Sequence, residues 1–306
     1  MLQATVETMT IFFVLLAIGF AAAKLGIIKG EFMGQLAGLI TKIFLPVLIF
    51  YATASSVSLN DVKDNLFLLP LSFIVYAALA LLAFLVAKIF RIEHDKDRVF
   101  QFAFIFGNTG FVGYPLLTSV FPTSGALFMC LFTVIDQLTF WTYGVWLSTA
   151  RNRNRGKFNV RALISPNTVA VILAVVMIVS GVGFHPLIGT ILGTITKAAT
   201  PLCMIYLGAL IYFNNLKIAL KRPETYALVI IKMALLPIGA CFLATAAGIA
   251  SDLIGCLTLY IALPVMTVVP MISTQNGDEG PYATGIAVVT FVACIFTIPL
   301  VAFICM

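Results

Sequence analysis

The sequence contains few charged residues and only two histidines. Charged residues make up 10% of its 306 residues, whereas hydrophobic residues make up 61% and the mean hydropathy is +1.11. Soluble globular domains carry about 25% charged residues, so this composition excludes that class. The sequence also lacks the period-2 alternation of a transmembrane barrel. We therefore expect an all-α polytopic membrane protein.

Motifs for nucleotide, metal or hydrolytic chemistry are absent as well. The chain has no G-x-x-x-x-G-K-[ST] loop, no H-E-x-x-H motif and no cluster of serine, histidine and aspartate. Its six cysteines are scattered through apolar segments, which favours small buried side chains over disulfides or metal ligands. We expect neither an enzyme nor an ATP-driven pump. The net charge of +6 arises between the apolar runs, so it predicts orientation and not a nucleic-acid partner.

Apolar runs of helical length are separated by short polar clusters. A bilayer core requires about 20 apolar residues per helix, and ten runs meet this requirement. The predicted spans are residues 6–26, 33–54, 65–88, 99–120, 124–149, 164–182, 188–213, 225–249, 252–275 and 281–304.

Basic residues are concentrated in alternate connections. Of the 18 basic residues, 14 lie within residues 24–29, 88–98, 151–161 and 217–222. Cytoplasmic connections carry such an excess of lysine and arginine. We therefore expect these four connections to be cytoplasmic, both termini to be outside, and the chain to be integral to the cell (inner or plasma) membrane.

An internal repeat appears when the chain is compared with itself at an offset of 155 residues. Residues 38–51 then align without a gap on residues 193–206, and six of the 14 positions are identical, including glycine, lysine and proline. The same offset pairs Pro115 with Pro270. The chain is therefore predicted to contain two copies of a unit of five spans.

An odd number of spans per copy makes the second copy enter the membrane from the opposite side. We expect a first repeat at 1–150, a basic cytoplasmic linker at 151–161 and an inverted second repeat at 162–306. Inverted repeats of this kind bind substrate near the bilayer midplane, between discontinuous helices in corresponding positions. This organisation predicts a secondary transporter.

The stretch FGNTGFVGYPLL at residues 106–117 interrupts the fourth apolar run. Its glycines let the backbone unwind, and its proline has no N–H to donate within the helix. Backbone groups freed at membrane depth need partners in a buried cavity. The ninth run is broken in the same way between Pro264 and Pro270. The alternative is that both prolines only bend their helices.

Two broken helices that cross would offer free amides and carbonyls to a ligand. The polar residues beside the breaks could add neutral donors and acceptors, although a hydroxyl in a helix often bonds only its own backbone. The candidate substrate-binding residues are Gly107, Asn108, Thr109, Gly113, Pro115, Thr267, Pro270 and Ser273.

Four ionisable side chains lie inside predicted spans, where each costs about 2.5–3.5 kcal/mol at the helix centre. Asp136 is the candidate coupling carboxylate for a sodium ion or a proton, or else pairs with a lysine. Lys42 and Lys197 occupy equivalent repeat positions and either brace a kink or attract an anion. Lys232 lies ten residues after Arg222, so we expect it to extend to the cytoplasmic interface. Three lysines against one aspartate favour an anionic substrate.

These motifs resemble the auxin efflux carrier family, the PIN-like carriers and their bacterial relatives, which include malonate and other organic-acid permeases. The resemblance covers the whole chain. Its most specific segments are FGNTGFVGYPLL, FWTYGVWL, TPLCMIYLGALI, LPVMTVVPM, TIPL and LPVLIFYATAS.

The resemblance implies a ten-helix inverted-repeat fold, similar to bile-acid symporters and sodium–proton antiporters, whose spans four and nine cross at Pro115 and Pro270. It implies that Asn108 contacts a substrate carboxylate. It also implies a homodimer in which spans one, two, six and seven form a scaffold and the other six move as an elevator. Lys42 and Lys197 would then belong to the scaffold. The short 151–161 linker lacks the long regulatory loop of many plant carriers.

The leading hypothesis is therefore a secondary transporter of a mono- or dicarboxylate, auxin-like or malonate-like, by elevator-type alternating access. A second hypothesis keeps the fold but makes the chain a sodium- or proton-coupled antiporter or symporter through Asp136. A third is a membrane sensor that transports nothing. The expected partners are a small organic anion, membrane lipid and a second copy of the chain.

Overall fold

The computed structural model describes residues 2–92, 95–149, 166–213, 221–276 and 279–306, with the backbone alone for 274–276. The predicted linker at 151–161 lies outside these residues. The first half contains α1 to α9, in this order: Leu2–Lys24, Met33–Leu39, Leu45–Ser56, Leu59–Asp64, Leu68–Ile89, Lys96–Ile105, Tyr114–Val120, Pro122–Thr139 and Val145–Ser148.

The second half contains seven helices in the described ranges. Helices α10 to α16 are, in this order, Pro166–Ser180, Pro186–Phe213, Pro223–Ile230, Leu236–Ala246, Ser251–Ile261, Val268–Asn276 and Gly280–Cys305. Apart from a single residue pair with β-bridge geometry, the described backbone is built of helices and their connections. The predicted all-helical class is therefore confirmed.

Within the described residues, seven helices are long and apolar enough to cross a membrane. They are Leu2–Lys24, Gly30–Ser56, Leu68–Ile89, Pro122–Ser148, Pro186–Phe213, Pro223–Ala246 and Gly280–Cys305, and each overlaps a predicted span. The shorter apolar helices α10 and α14 lie in two further predicted spans. The fourth predicted span is divided between α6 and α7, because an extended segment interrupts it after Ile105.

In the part of the chain that the structure describes, four π turns widen the helices at defined places. Three of them, Ile40–Phe44, Thr109–Gly113 and Ile231–Leu235, end two residues before a proline. Proline cannot donate to the carbonyl four residues earlier, and π turns insert an extra residue into the helix, often at functional sites. The fourth π turn, Phe140–Gly144, joins α8 to α9. Each π turn therefore rotates the helix that follows it relative to the helix before it.

Helix α1 packs against α11 at backbone distance. A Cβ atom on Gly208 would lie 2.0 Å from the carbonyl oxygen of Leu16, and one on Gly19 would lie 2.1 Å from that of Ile205. Glycine is therefore required at both positions to let the two backbones touch. Helix α11 also packs on α3, which in turn contacts α10.

Replacing Gly208 by alanine should lower the free energy of unfolding by about 1–3 kcal/mol, because the added methyl group overpacks the contact between α1 and α11. The thermal unfolding midpoint of the purified protein in detergent measures this. Gly34 in α2 is exposed and a Cβ atom there would meet open space. Gly34→Ala is the control and should unfold at or above the wild-type temperature. Equal midpoints for Gly208→Ala and the wild type would contradict the prediction.

Candidate functional site

Two interrupted helices cross where α6 and α14 end. Residues 106–108 and 264–266 run antiparallel, with Gly107 opposite Val265. The backbone N–H of Asn108 donates to the carbonyl of Pro264 at 2.7 Å, and that of Met266 donates to the carbonyl of Phe106 at 3.0 Å. Because a bilayer core supplies no water to free backbone groups, these two bonds let both helices stop at membrane depth.

The crossing is tight because Gly107 has no side chain. A Cβ atom at this position would lie 3.0 Å from the Cβ atom of Leu263. The N–H of Val265 donates to the hydroxyl of Thr290 in α16 at 3.1 Å, so a side chain satisfies a further backbone group of the crossing. Aromatic rings cover it on one side: Phe106 packs against Phe140 with ring centroids 5.1 Å apart.

The structure corrects the predicted position of the crossing. Pro115 and Pro270 were expected there, but Gly107 and Val265 form the pair instead. Pro115 lies in the first turn of α7 and Pro270 lies near the start of α15. The first turn of a helix has unpaired N–H groups anyway, so it tolerates proline. Helical geometry resumes before each proline, at Thr109 and at Val268, so the breaks lie at 106–108 and 262–267. The predicted interruption of both runs is confirmed, but the predicted break of span four at Pro115 was wrong.

The side chain of Asn108 lies at the first break, and its oxygen and its nitrogen differ in their hydrogen bonding. Its side-chain oxygen accepts a hydrogen bond from the N–H of Phe111 at 2.9 Å and caps the π turn that follows. Its side-chain nitrogen is buried and has no hydrogen-bond partner among the described residues. An unpaired buried donor costs about 1–3 kcal/mol. The residue is only 2% exposed, so water outside the protein does not satisfy this donor.

A cavity of about 380 Å³ lies beside Asn108. It is lined by residues of the crossing, of the π turn before α3, of the end of α8 and of the start of α10. The lining residues are Thr41, Lys42, Leu45, Asn108, Gly110, Phe111, Gln137, Phe140, Trp141, Pro166, Asn167, Met266, Thr267, Val268 and Met271. Pro166 and Met271 are exposed, so the cavity opens where α10 begins.

The other candidate substrate residues are distributed around this cavity. Thr267 lines it together with Asn108, whereas Thr109 is buried and turns toward Asp136. Gly113 lets Leu263 pack against the backbone, because a Cβ atom at this position would lie 2.9 Å from a methyl carbon of Leu263. Ser273 is fully buried with an unpaired hydroxyl but does not line the cavity.

Asp136 is fully buried in a network of hydrogen-bond donors. Its carboxylate accepts hydrogen bonds from the hydroxyl of Tyr76, from the side-chain amide of Gln137 at 3.1 Å and from the hydroxyl of Thr109 at 3.4 Å. The Tyr76 hydroxyl also lies 2.6 Å from that of Tyr260 in α14. The network therefore connects the carboxylate to both interrupted helices.

The three lysines differ in position. Lys42 is exposed at the edge of the cavity, whereas Lys197 is exposed on α11 and does not line it. Lys232 was expected to extend to the interface, but it is only 1% exposed, and its ammonium donates to the carbonyl of Leu263 at 2.5 Å. The π turn Ile231–Leu235 carries it toward the crossing, so the expectation of a snorkelling lysine was wrong.

Several site residues were not singled out from the sequence. Tyr76 and Tyr260 each place a hydroxyl in the middle of an apolar run, which is a weak signal for a buried polar contact. Asn167 lies on the cavity with a side-chain oxygen that has no partner in the described ranges. Thr290 had no distinguishing signal, because most threonines in these helices bond their own backbone.

A bundle of apolar helices, with a mostly apolar cavity that Asn108 lines beside the crossing of two interrupted helices, is typical of a membrane transport protein. The sequence profile described as "Membrane transport protein" matches residues 4–302. The chain therefore belongs to this family, which is that of the auxin efflux carriers.

Two archaeal proteins named as uncharacterized transporters are similar to the chain. The protein of Methanothermobacter thermautotrophicus is 28% identical over 212 residues, which cover 69% of each chain. The protein of Methanocaldococcus jannaschii is 26% identical over 209 residues, covering 66% of this chain and 67% of the relative. Membership of a transporter family agrees with the expectation that the chain is not an enzyme.

Replacing Thr290 by valine should lower the free energy of unfolding by about 1–3 kcal/mol, because it leaves the buried N–H of Val265 without an acceptor. Thermal unfolding in detergent is the measurement. Thr284 in the same helix bonds only its own backbone, at the carbonyl of Gly280. Thr284→Val should therefore unfold close to the wild type, and an equal effect of both variants would refute the role of Thr290.

Proposed function

We propose that the protein is a secondary transporter of small organic anions, with the cavity at the crossing as its substrate site. The observation that carries this proposal is the side-chain nitrogen of Asn108, a buried donor without a partner in the described structure, on the wall of that cavity. Membership of the transporter family favours this function over a membrane sensor.

The lining of the cavity supports an anion as substrate. Asn108 offers an N–H donor, and α15 begins beside the cavity at Val268, so the positive end of its dipole points there. Lys42 adds a positive charge at the edge. In the described lining, these groups are not balanced by a carboxylate.

The rest of the lining supports an organic substrate of modest size. Phe111, Phe140 and Trp141 provide aromatic surface, and Leu45 and Met266 provide aliphatic surface. A volume of about 380 Å³ lies near the lower end of small-molecule sites, which span about 300–1,000 Å³. A mono- or dicarboxylate with an apolar body, auxin-like or malonate-like, would match both the donors and these walls.

The finer organisation that we propose is ten membrane spans in two inverted repeats of five. Spans one, two, six and seven would form a scaffold, and the other six would carry the crossing past it in an elevator movement. Helix packing supports this division: α1 contacts α11 and α3 contacts both α10 and α11. The cavity lies between the scaffold spans and the moving spans. Lys42 and Asn167 come from the scaffold, whereas Asn108 and Gln137 come from the moving spans.

The orientation that we propose follows from the basic connections. Pro166, an exposed residue of the cavity wall, begins α10 five residues after the basic segment 151–161 in the sequence, so the described conformation would face the cytoplasm. Both termini would be outside the cell membrane, and the protein would form a homodimer through its scaffold.

Replacing Asn108 by serine should reduce carboxylate binding at least tenfold, because it removes the free N–H donor while a serine oxygen can still cap the following turn. Thermal-shift titration of the purified protein with acetate, malonate, succinate and indole-3-acetate measures the affinity, since a ligand stabilises the folded state it binds. Asn65, at the end of α4, bonds the carbonyl of Asp61 and lies off the cavity. Asn65→Ser is the control and should bind as the wild type does; unchanged binding by Asn108→Ser would refute the site.

A second candidate function is coupling of transport to protons through Asp136. The observation that favours it is the nature of the contacts: the carboxylate meets hydroxyl and amide donors of Tyr76, Gln137 and Thr109. The hydroxyls of Tyr76 and Thr109 can relay a proton to the carboxylate, and the three donors already satisfy its oxygens without a metal ion. Because Thr109 follows Asn108, the charge of Asp136 is linked to the substrate site.

Uptake of a carboxylate into liposomes should follow an imposed pH gradient and should not respond to a sodium gradient. Asp136→Asn keeps a side chain of the same size but removes the titrating group, so uptake by this variant should lose its dependence on the pH gradient. Asp252, which accepts a hydrogen bond from Ser124 near the start of α8, provides the control variant Asp252→Asn. Uptake driven by sodium, or unaltered pH dependence in Asp136→Asn, would count against proton coupling.

A further inference from the structure

Lys232 is the ionisable group whose position the transport proposal leaves unexplained. It is 1% exposed and lies at a depth where a charged side chain requires a partner. In the described part of the chain, its ammonium hydrogen-bonds a backbone oxygen, the carbonyl of Leu263, and not a carboxylate. Methionine or leucine would fill this space at a lower desolvation cost than lysine. The buried ammonium therefore requires a functional explanation.

Among the described residues of the crossing, the carbonyl of Leu263 accepts its hydrogen bond from a side chain. The carbonyls of Pro264 and Phe106 accept N–H groups from the opposite segment, whereas Leu263 accepts from Lys232. Leu263 follows the end of α14, where the helix dipole is negative. Carbonyls at the end of an interrupted helix are the groups that coordinate coupling cations in transporters with such helices. The ammonium of Lys232 thus occupies a position suited to a bound cation.

Lys232 also lies close to the segment that interrupts the first helix. A Cβ atom on Gly107 would lie 3.6 Å from its ammonium nitrogen and 3.7 Å from the oxygen of Leu263. Gly107 is directly bonded to Asn108, which lines the cavity and whose side-chain nitrogen has no partner in the described structure. The ammonium therefore lies behind the crossing, one residue away from the proposed anion site, in a dry region where a charge acts over a longer distance than in water.

We propose that Lys232 is a positioning residue that serves as a built-in cation: it fixes the carbonyl of Leu263 and lends its positive charge to an anion bound at Asn108. Anion binding then requires no cation from solution. This inference rests on the proposed organic-anion function, because the anion in question is the one bound at Asn108.

The first test compares carboxylate affinity with and without the charge. Lys232→Gln keeps an N–H donor and removes the charge, and it should weaken binding of the best of acetate, malonate, succinate and indole-3-acetate by about tenfold or more. Lys197→Gln removes an exposed lysine from the same half of the chain and should bind as the wild type does. The wild type should bind equally well in sodium chloride and in N-methyl-D-glucamine chloride.

The second test removes the lysine side chain and supplies its positive charge as a small cation from solution. Lys232→Ala leaves a space beside Leu263, and ethylammonium added to this variant should raise both its thermal midpoint and its affinity for the carboxylate, while Lys197→Ala should not respond. Unchanged affinity in Lys232→Gln, a sodium requirement in the wild type, or lost binding that ethylammonium does not restore would overturn the proposal.

These experiments can refute the organic-anion function and the role of Lys232 independently of each other. A wild type that binds none of the four carboxylates refutes the organic-anion function. The thermal midpoint of Lys232→Ala still reports on the cation position in that case, because stabilisation by ethylammonium requires no carboxylate. If that variant does not fold, Lys232→Ser leaves nearly the same space for ethylammonium, and a midpoint that stays constant in the variant that folds refutes the built-in cation.

Discussion

The structure depends on the need to satisfy backbone groups inside a membrane. Two helices end at mid-depth, and each would leave carbonyls and amides without partners in an apolar solvent. The bonds from Asn108 to Pro264 and from Met266 to Phe106 pair these groups across the crossing, and Thr290 and Lys232 serve two more. Neither helix could be interrupted without the other, because each supplies hydrogen-bond partners for the free backbone groups of the other. The side-chain nitrogen of Asn108 is left without a partner in the described structure, and the residue lines a mostly apolar cavity.

Charge is distributed unequally around this pairing. One side holds the carboxylate of Asp136, reached through Thr109, and the other holds the ammonium of Lys232 behind Gly107. The equivalent positions at an offset of 155 residues are Phe291 for Asp136 and Ala77 for Lys232, so neither charge is repeated. The two buried charges are therefore single features of the sequence and not part of its 155-residue repeat.

Much of this site could be predicted from the sequence. Glycines, a proline and an asparagine inside an apolar run identified the first break, and the burial of Asp136 followed from its position in mid-span. The exact pairing could not be predicted, because the repeat offset aligns Gly107 with Ala262, whereas in space it lies opposite Val265. The depth of Lys232 depends on a π turn that rotates its side chain inward. The cavity also needs Asn167 and Trp141, whose proximity to Asn108 arises only from tertiary packing.

The contact between α1 and α11 has a consequence for how the protein is made. Gly19 and Gly208 allow the two backbones to touch, yet about 190 residues of chain separate them. During synthesis α1 is made well before α11, so until then Gly19 lacks the backbone against which it packs. The first half of the chain therefore cannot reach its final packing alone. This contact forms only after the seventh predicted span has been made.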